Sequence, residues 1–169
     1  YVNRQVPKDD ADWKGPWDCA EFISWLVYQE SGILYGCVDN RAPPAEADAY
    51  TGAWRRDAER HGIMVSVEKA ASTVGGIVLR FPPPGAMGHI ALCDGKGGTV
   101  EAKGKKFGVV ADKVDGRTWH TGILIRGIDY GETTGTVSVR PAADIYSRSA
   151  VNMDRAVVAE IQKALLRKG

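Results

Sequence analysis

The stretch GHIALCDGKGGTVEAKGKKFGVVAD, residues 88–112, is written in the grammar of antiparallel strands. HIALCD and TVEAK are short apolar-rich runs joined by the glycine turn GKGG, and a further glycine turn leads into GVVAD. Upstream, GIVLRF (76–81) precedes them across the loop PPPGAMG; downstream, TGILIRG (121–127) follows. Such runs predict a compact antiparallel sheet. Strand side chains alternate, so His89, Ala91 and Cys93 share one face. Pairing of Ala91 with Thr99 would set His89 directly opposite Glu101, at about 5 Å between Cβ atoms, where a carboxylate can orient an imidazole.

Before these strands the sequence changes period. In WDCAEFISWLVYQESG (17–32), Cys19, Phe22, Ile23, Leu26 and Val27 follow the spacing of one buried helical stripe. Asp18 is the expected N-cap, Glu21 sits at capping-box spacing, and Gly32 is the expected stop. Cys19 then occupies the first helical position, where unpaired amides and the helix dipole favour thiolate over thiol. A packed core cysteine is the plainer reading, and a partner base is needed to displace it. A second helix is expected from about Ala45 to His61, with Tyr50 and Trp54 four apart on its core face and His61 and Gly62 at its end. Helices first and strands after make an α+β domain.

With 169 residues and 44% hydrophobic content, the chain can build one sizeable core. Lys plus Arg number 22 against 21 for Asp plus Glu, which leaves no overall basic field and argues against nucleic acid as a main partner. KGKK (103–106) reads as a solvated turn. No apolar run has the length of a membrane span, and no signal peptide is legible. The start at Tyr1, without methionine, suggests a processed or trimmed form. Cys19, Cys37 and Cys93 cannot all pair, and none has zinc-type spacing with the three histidines, so neither metal nor cofactor is expected. An oxidising compartment would allow a Cys37–Cys93 disulfide. The expected organisation is a catalytic domain over 1–130, a Gly-, Thr-, Pro- and Ser-containing connector over 131–154, and an amphipathic helix over 155–169 with Val157, Val158, Ile161 and Leu165 along one stripe.

Cys19, His89 and Glu101 together supply a thiol at a helix start, a base on a strand and an orienting acceptor on the next strand. Singly, His89 reads as a half-buried histidine and Glu101 as a ladder residue. In this order and architecture the three favour catalysis.

WDCAEFISW resembles the D-C-S-G-F segment of NlpC-type cell-wall cysteine peptidases, and GHIALCDGKGGTVEAKGKKFGVV is similar to their histidine hairpin. The related CHAP amidases share the order Cys, His, polar residue, and GGIVLRF resembles the strand preceding the histidine in both groups. The likeness spans about residues 17–126, with gaps. It implies a papain-like fold, thiolate attack on an amide carbonyl, and peptidoglycan stem peptides as substrate. Cys19 matches the nucleophile, His89 the general base and Glu101 the third, polar position; Asp18 and the adjacent Trp17 are the candidate substrate contacts. Ala20 and Glu21 depart from the small polar residue and glycine usual after the cysteine, which bears on recognition of a free stem-peptide amine. The terminal IQKALLRKG is similar to the first helix of a peptidoglycan-binding domain, the alternative being a helix packed back onto the core. The resemblance further implies a secreted, periplasmic or wall location, and a monomer is expected. Competing readings are a wall-binding module without turnover and a thiol acyltransferase.

Overall fold

Residues 19–31 form helix α1 (Cys19–Ser31) between a side-chain cap at Asp18 and a left-handed Gly32 at φ 67°. Gly32 closes the helix by donating its amide to the Tyr28 carbonyl at 2.8 Å, the αL stop that a glycine adopts without steric cost. The computed structural model describes residues 6–61, 63–84 and 86–131. Beyond α1 it contains α2 (Thr51–His61), β1 (Met64–Val65), α3 (Val67–Ala71), β2 (Val74–Arg80), β3 (His89–Asp94), β4 (Gly98–Ala102), β5 (Val109–Lys113) and β6 (Thr121–Ile123). The strands make one six-stranded sheet in the order β1-β6-β2-β3-β4-β5, antiparallel at every pairing. The class is α+β, as the order of periods in the sequence predicts.

The alternation of strand side chains divides the core between two faces. Ile77, Leu79, Ile90, Leu92, Val100 and Ile123 join Phe22, Ile23, Leu26 and Trp54 in the larger cluster beneath α1, which lies across β3 and β4. Each fully buried Ile or Leu there stabilises the fold by about 1.5–3 kcal/mol relative to exposure. Val78, Ala91 and Cys93 point the other way, toward Ala70 of α3 and the half-buried Trp119.

Two expectations are corrected, the start of the second helix and the core place of Tyr50, and the open question of a Cys37–Cys93 pairing is decided. The second helix starts at Thr51, not near Ala45, because residues 45–50 are drawn into tertiary pairing: Ala49 bridges Cys37, and the Tyr50 amide donates to the Gly36 carbonyl at 3.0 Å. Tyr50 therefore lies outside the helix and exposed, while Trp54 alone enters the core. No disulfide joins Cys37 and Cys93. All three cysteines are free, and the sheet separates the two, with Cys37 beside Ser24 in the α1-side core and Cys93 in the α3-side cluster. The structure also adds β1 and α3, of two and five residues, which are too short to leave a periodic signal. The connector after Gly131 and the 155–169 segment lie outside the described residues. Among those residues, no helix is long and apolar enough to cross a membrane.

Candidate active site

The start of α1 is held from three directions. Asp18, in extended conformation, accepts a hydrogen bond from the Glu21 amide at 2.8 Å. Trp17 packs edge-on against Phe22 (centroids 5.3 Å apart) and Trp25 (5.0 Å). Trp17 and Phe22 occupy the positions of a hydrophobic staple, which sets the angle at which the chain enters the helix. Both candidate substrate contacts thus have structural work as well. Glu21 departs from the capping-box expectation: its carboxylate turns inward, paired with Lys8 and accepting from the Ala49 amide at 2.8 Å. Lys8, itself fully buried, also donates to the carbonyls of Val6 at 2.9 Å and Ala47 at 2.6 Å.

Cys19 is the first residue of α1 and half-buried. Burial pushes its thiol up to about 11, and the neighbouring Asp18 adds to the rise. The amides of Ile90, Ala20 and Cys19 itself favour the thiolate but are outweighed. The expectation that the helix start favours thiolate over thiol is therefore corrected: desolvation costs the anion more than the amides return. The first of these amides belongs to the His89–Ile90 peptide at the start of β3.

His89 opens β3 opposite Arg80 of β2. Only glycine fits before it, because a Cβ at Gly88 would lie 2.5 Å from Thr51 Oγ1 and 2.6 Å from the Arg80 carbonyl oxygen. Helix α2 can thereby abut the strand that carries His89. The His89 side chain is 14% exposed, and its Nε2 contacts Glu101 Oε2. Nδ1 has no hydrogen-bond partner among the described residues, and none of their hydrogen bonds joins the ring to Cys19. Trp119 stacks on the imidazole, with centroids 5.8 Å apart and planes 28° from parallel.

The register differs from the expected one by two residues. Cys93 pairs with Thr99 and Leu92 with Val100, so Glu101 reaches His89 diagonally and not from the position directly opposite. Its face is unchanged because a two-residue shift conserves parity. The cause lies in the turn, where Asp94 Oδ1 accepts from the amides of Lys96 at 2.7 Å and Gly98 at 2.8 Å and centres the reversal on Lys96.

Glu101 is fully buried and ionised. Burial by itself would raise it, but hydrogen bonds from Arg117 and His89, with their charges, bring it down to about 2. Arg117 Nη2 donates to Oε2 at 2.9 Å while Nη1 donates to Oε1, and Thr99 Oγ1 donates to Oε1 at 2.9 Å. Arg117 and Trp119, in the connection between β5 and β6, were not among the residues singled out from sequence. The alternating Arg-Thr-Trp of residues 117–119 is their only local signal, and it is weak.

Arg55, Phe81 and His120 form a separate stack near the end of β2, with Arg55 4.3 Å above the Phe81 ring and the two rings 4.9 Å apart. A concave space of about 420 Å³ lies near the far end of α1, lined by Tyr28, Ile33, Leu34, Tyr35, Pro44 and His61 among others; none of the three candidate catalytic residues borders it. Among the described residues no group of three or more His, Cys, Asp or Glu side chains is placed to hold a metal ion. No family model, curated protein or solved structure matches the chain.

Proposed function

We propose that the chain is a cysteine-dependent amide hydrolase of the papain-like NlpC/CHAP type, acting on peptidoglycan stem peptides. The observation that carries this reading is the His89–Glu101 contact, which engages Nε2 and leaves Nδ1 without a hydrogen-bond partner among the described residues; the amide of Ile90, next in the chain to His89, is among the groups that lower the Cys19 thiol. The substrate class rests on the resemblance of residues 17–126. A secreted, periplasmic or wall location and action as a monomer belong to the same proposal.

In this mechanism, His89 Nδ1 takes the Cys19 proton as the sulfur attacks the amide carbonyl carbon. Burial holds the resting thiol neutral, so the thiolate is made during proton transfer and not stored at the helix start. A protonated His89 then donates to the leaving amine as the carbon–nitrogen bond breaks, leaving a thioester on Cys19. Water, deprotonated by His89, hydrolyses the thioester, releases the carboxylic acid and restores the thiol. Glu101 holds the ring and stabilises its cationic form. The Cys19 backbone amide is the natural donor to the developing oxyanion. Asp18 and Trp17 border the nucleophile and would meet the substrate there.

The raised thiol and the missing Cys19–His89 hydrogen bond favour a second reading, a wall-binding module without turnover. Mass spectrometry of purified peptidoglycan treated with wild type or Cys19→Ala separates the two. Hydrolysis predicts new amino termini or lactyl-ended glycans from wild type alone. Unchanged wall material with retained binding would replace the enzyme by the module. New products carrying an added acceptor amine would indicate acyl transfer.

A further inference from the structure

Four contacts close a ring around the proposed base: His89 to Glu101, Glu101 to Arg117, Arg117 to Trp119, and Trp119 back to His89. The guanidinium carbon of Arg117 lies 4.7 Å from the Trp119 ring centroid, and Trp119 is anchored by donation from Nε1 to the Val114 carbonyl at 3.1 Å. We propose that Arg117 is a positioning residue which, by chelating both oxygens of Glu101 while stacked on Trp119, fixes the tautomer and tilt of the His89 ring. Its consequence for turnover rests on the cysteine-hydrolase reading; its effect on the ring does not.

The physical case starts with the carboxylate. Glu101 has two oxygens, and a planar fork that binds both removes its freedom to rotate about the final side-chain bond. Oε2 is then held toward Nε2, so the imidazole proton resides on Nε2 and Nδ1 is the acceptor that a thiol requires. Thr99 completes the coordination of Oε1, and Arg117 is itself steadied by the Lys113 carbonyl at 3.3 Å and by Asp112 at 3.5 Å. Trp119 covers one face of the imidazole and limits ring rotation. Lysine at 117 would keep the positive charge but could not chelate both oxygens in one plane. Charge and geometry can therefore be varied separately.

Long-range ¹H–¹⁵N NMR of the histidine-labelled full chain in alkaline buffer reads the tautomer directly. His120 is an internal control, because its Nδ1 accepts from the Phe81 amide at 2.9 Å independently of Arg117. Wild type is expected to show one His89 tautomer, protonated at Nε2. Arg117→Met should give a mixture of tautomers with the His120 pattern unchanged, and Arg117→Lys an intermediate one. On a defined stem peptide, kcat should fall on the order of tenfold in Arg117→Met with KM near wild type, and Arg117→Lys should recover part of the loss. If Arg117→Met does not fold, Arg117→Lys and Trp119→Phe carry the tautomer test. A single Nε2-protonated tautomer in every folded variant overturns the proposal, as does an Nδ1-protonated ring in wild type. Absence of hydrolysis by wild type would instead overturn the enzyme reading while leaving the tautomer result standing.

Discussion

Glu21 near the start of α1 and Glu101 on β4 are both fully buried and both face a cation, yet their ionisation moves in opposite directions. Burial drives Glu21 up to about 7 despite the Lys8 ammonium and the Ala49 amide. Glu101 is held down at about 2, although burial also opposes its charge. The difference lies in the donors and in a second acidic side chain beside Glu21. Glu21 receives one ammonium, whose remaining bonds go to the Val6 and Ala47 carbonyls, and one amide, and it also meets the Asp48 side chain, which raises it further. Glu101 receives a guanidinium fork, a hydroxyl and an imidazole. A buried carboxylate is thus stabilised as an anion by the number and geometry of its hydrogen bonds, and proximity of one positive charge does not suffice. The Glu21 region ties the N-terminal segment and residues 47–49 to α1, while Glu101 supports an imidazole left partly open to solvent.

The largest effect expected lies outside both carboxylates and sets the floor for comparing them. Cys19→Ala should abolish hydrolysis of stem-peptide amides with the melting transition retained, as product release and thermal unfolding would show. Full activity in that folded variant would overturn the cysteine-hydrolase reading itself.

Next in size is the structural arm. Glu21→Ala leaves the Lys8 charge buried without its carboxylate and should cost about 3–5 kcal/mol in urea unfolding. Replacing both partners, Lys8→Met with Glu21→Leu, should restore most of that stability. A Glu21→Ala protein of wild-type stability would erase the contrast between the regions.

Glu101→Gln sharpens the catalytic arm. It keeps the size of the side chain but removes the anion, so kcat should fall by about ten- to a hundredfold with the sheet intact, less than for loss of the base itself. Lys105→Ala, on the exposed turn after β4, serves as the silent control. Rates equal to wild type in Glu101→Gln would show that another group orients His89.

The smallest and most discriminating effect is in pH. A carboxylate depressed from 4.5 to about 2 contributes stability that is present above its unfolded value and lost as pH falls through the folded one. A carboxylate raised from 4.5 to about 7 acts in the opposite sense, its penalty growing as pH rises through that interval and levelling above it. In urea-derived stability against pH, Glu101→Gln should therefore flatten the acid limb and Glu21→Gln the limb between about 4.5 and 7. Identical profiles for the two variants would contradict the opposed shifts.

Much of this architecture is legible locally. The Cys19–Val27 stripe, the Asp18 cap and the Gly32 stop define α1, because helix period and end chemistry are carried by neighbouring residues. Alternation places His89 with Ala91 and Cys93, and Glu101 with Thr99; that the two sets share one face depends on the parity of the β3–β4 pairing. The start of α2 is not legible, since Ala49 and Tyr50 are held by Cys37 and Gly36, partners distant in sequence. Nor is the β3–β4 register, which is chosen by the side chain of Asp94 within the turn.

By itself the sequence determined the α+β class, the cap and phase of α1 and the strand runs, all consequences of short-range periodicity and turn chemistry. Only the tertiary structure decided that Arg117 would chelate Glu101, that Trp119 would cover His89, and that the Cys19 thiol would be neutral at rest. Those outcomes depend on which distant groups share a desolvated space, and desolvation together with the full set of hydrogen bonds, neither encoded in local spacing, sets the charge of each group.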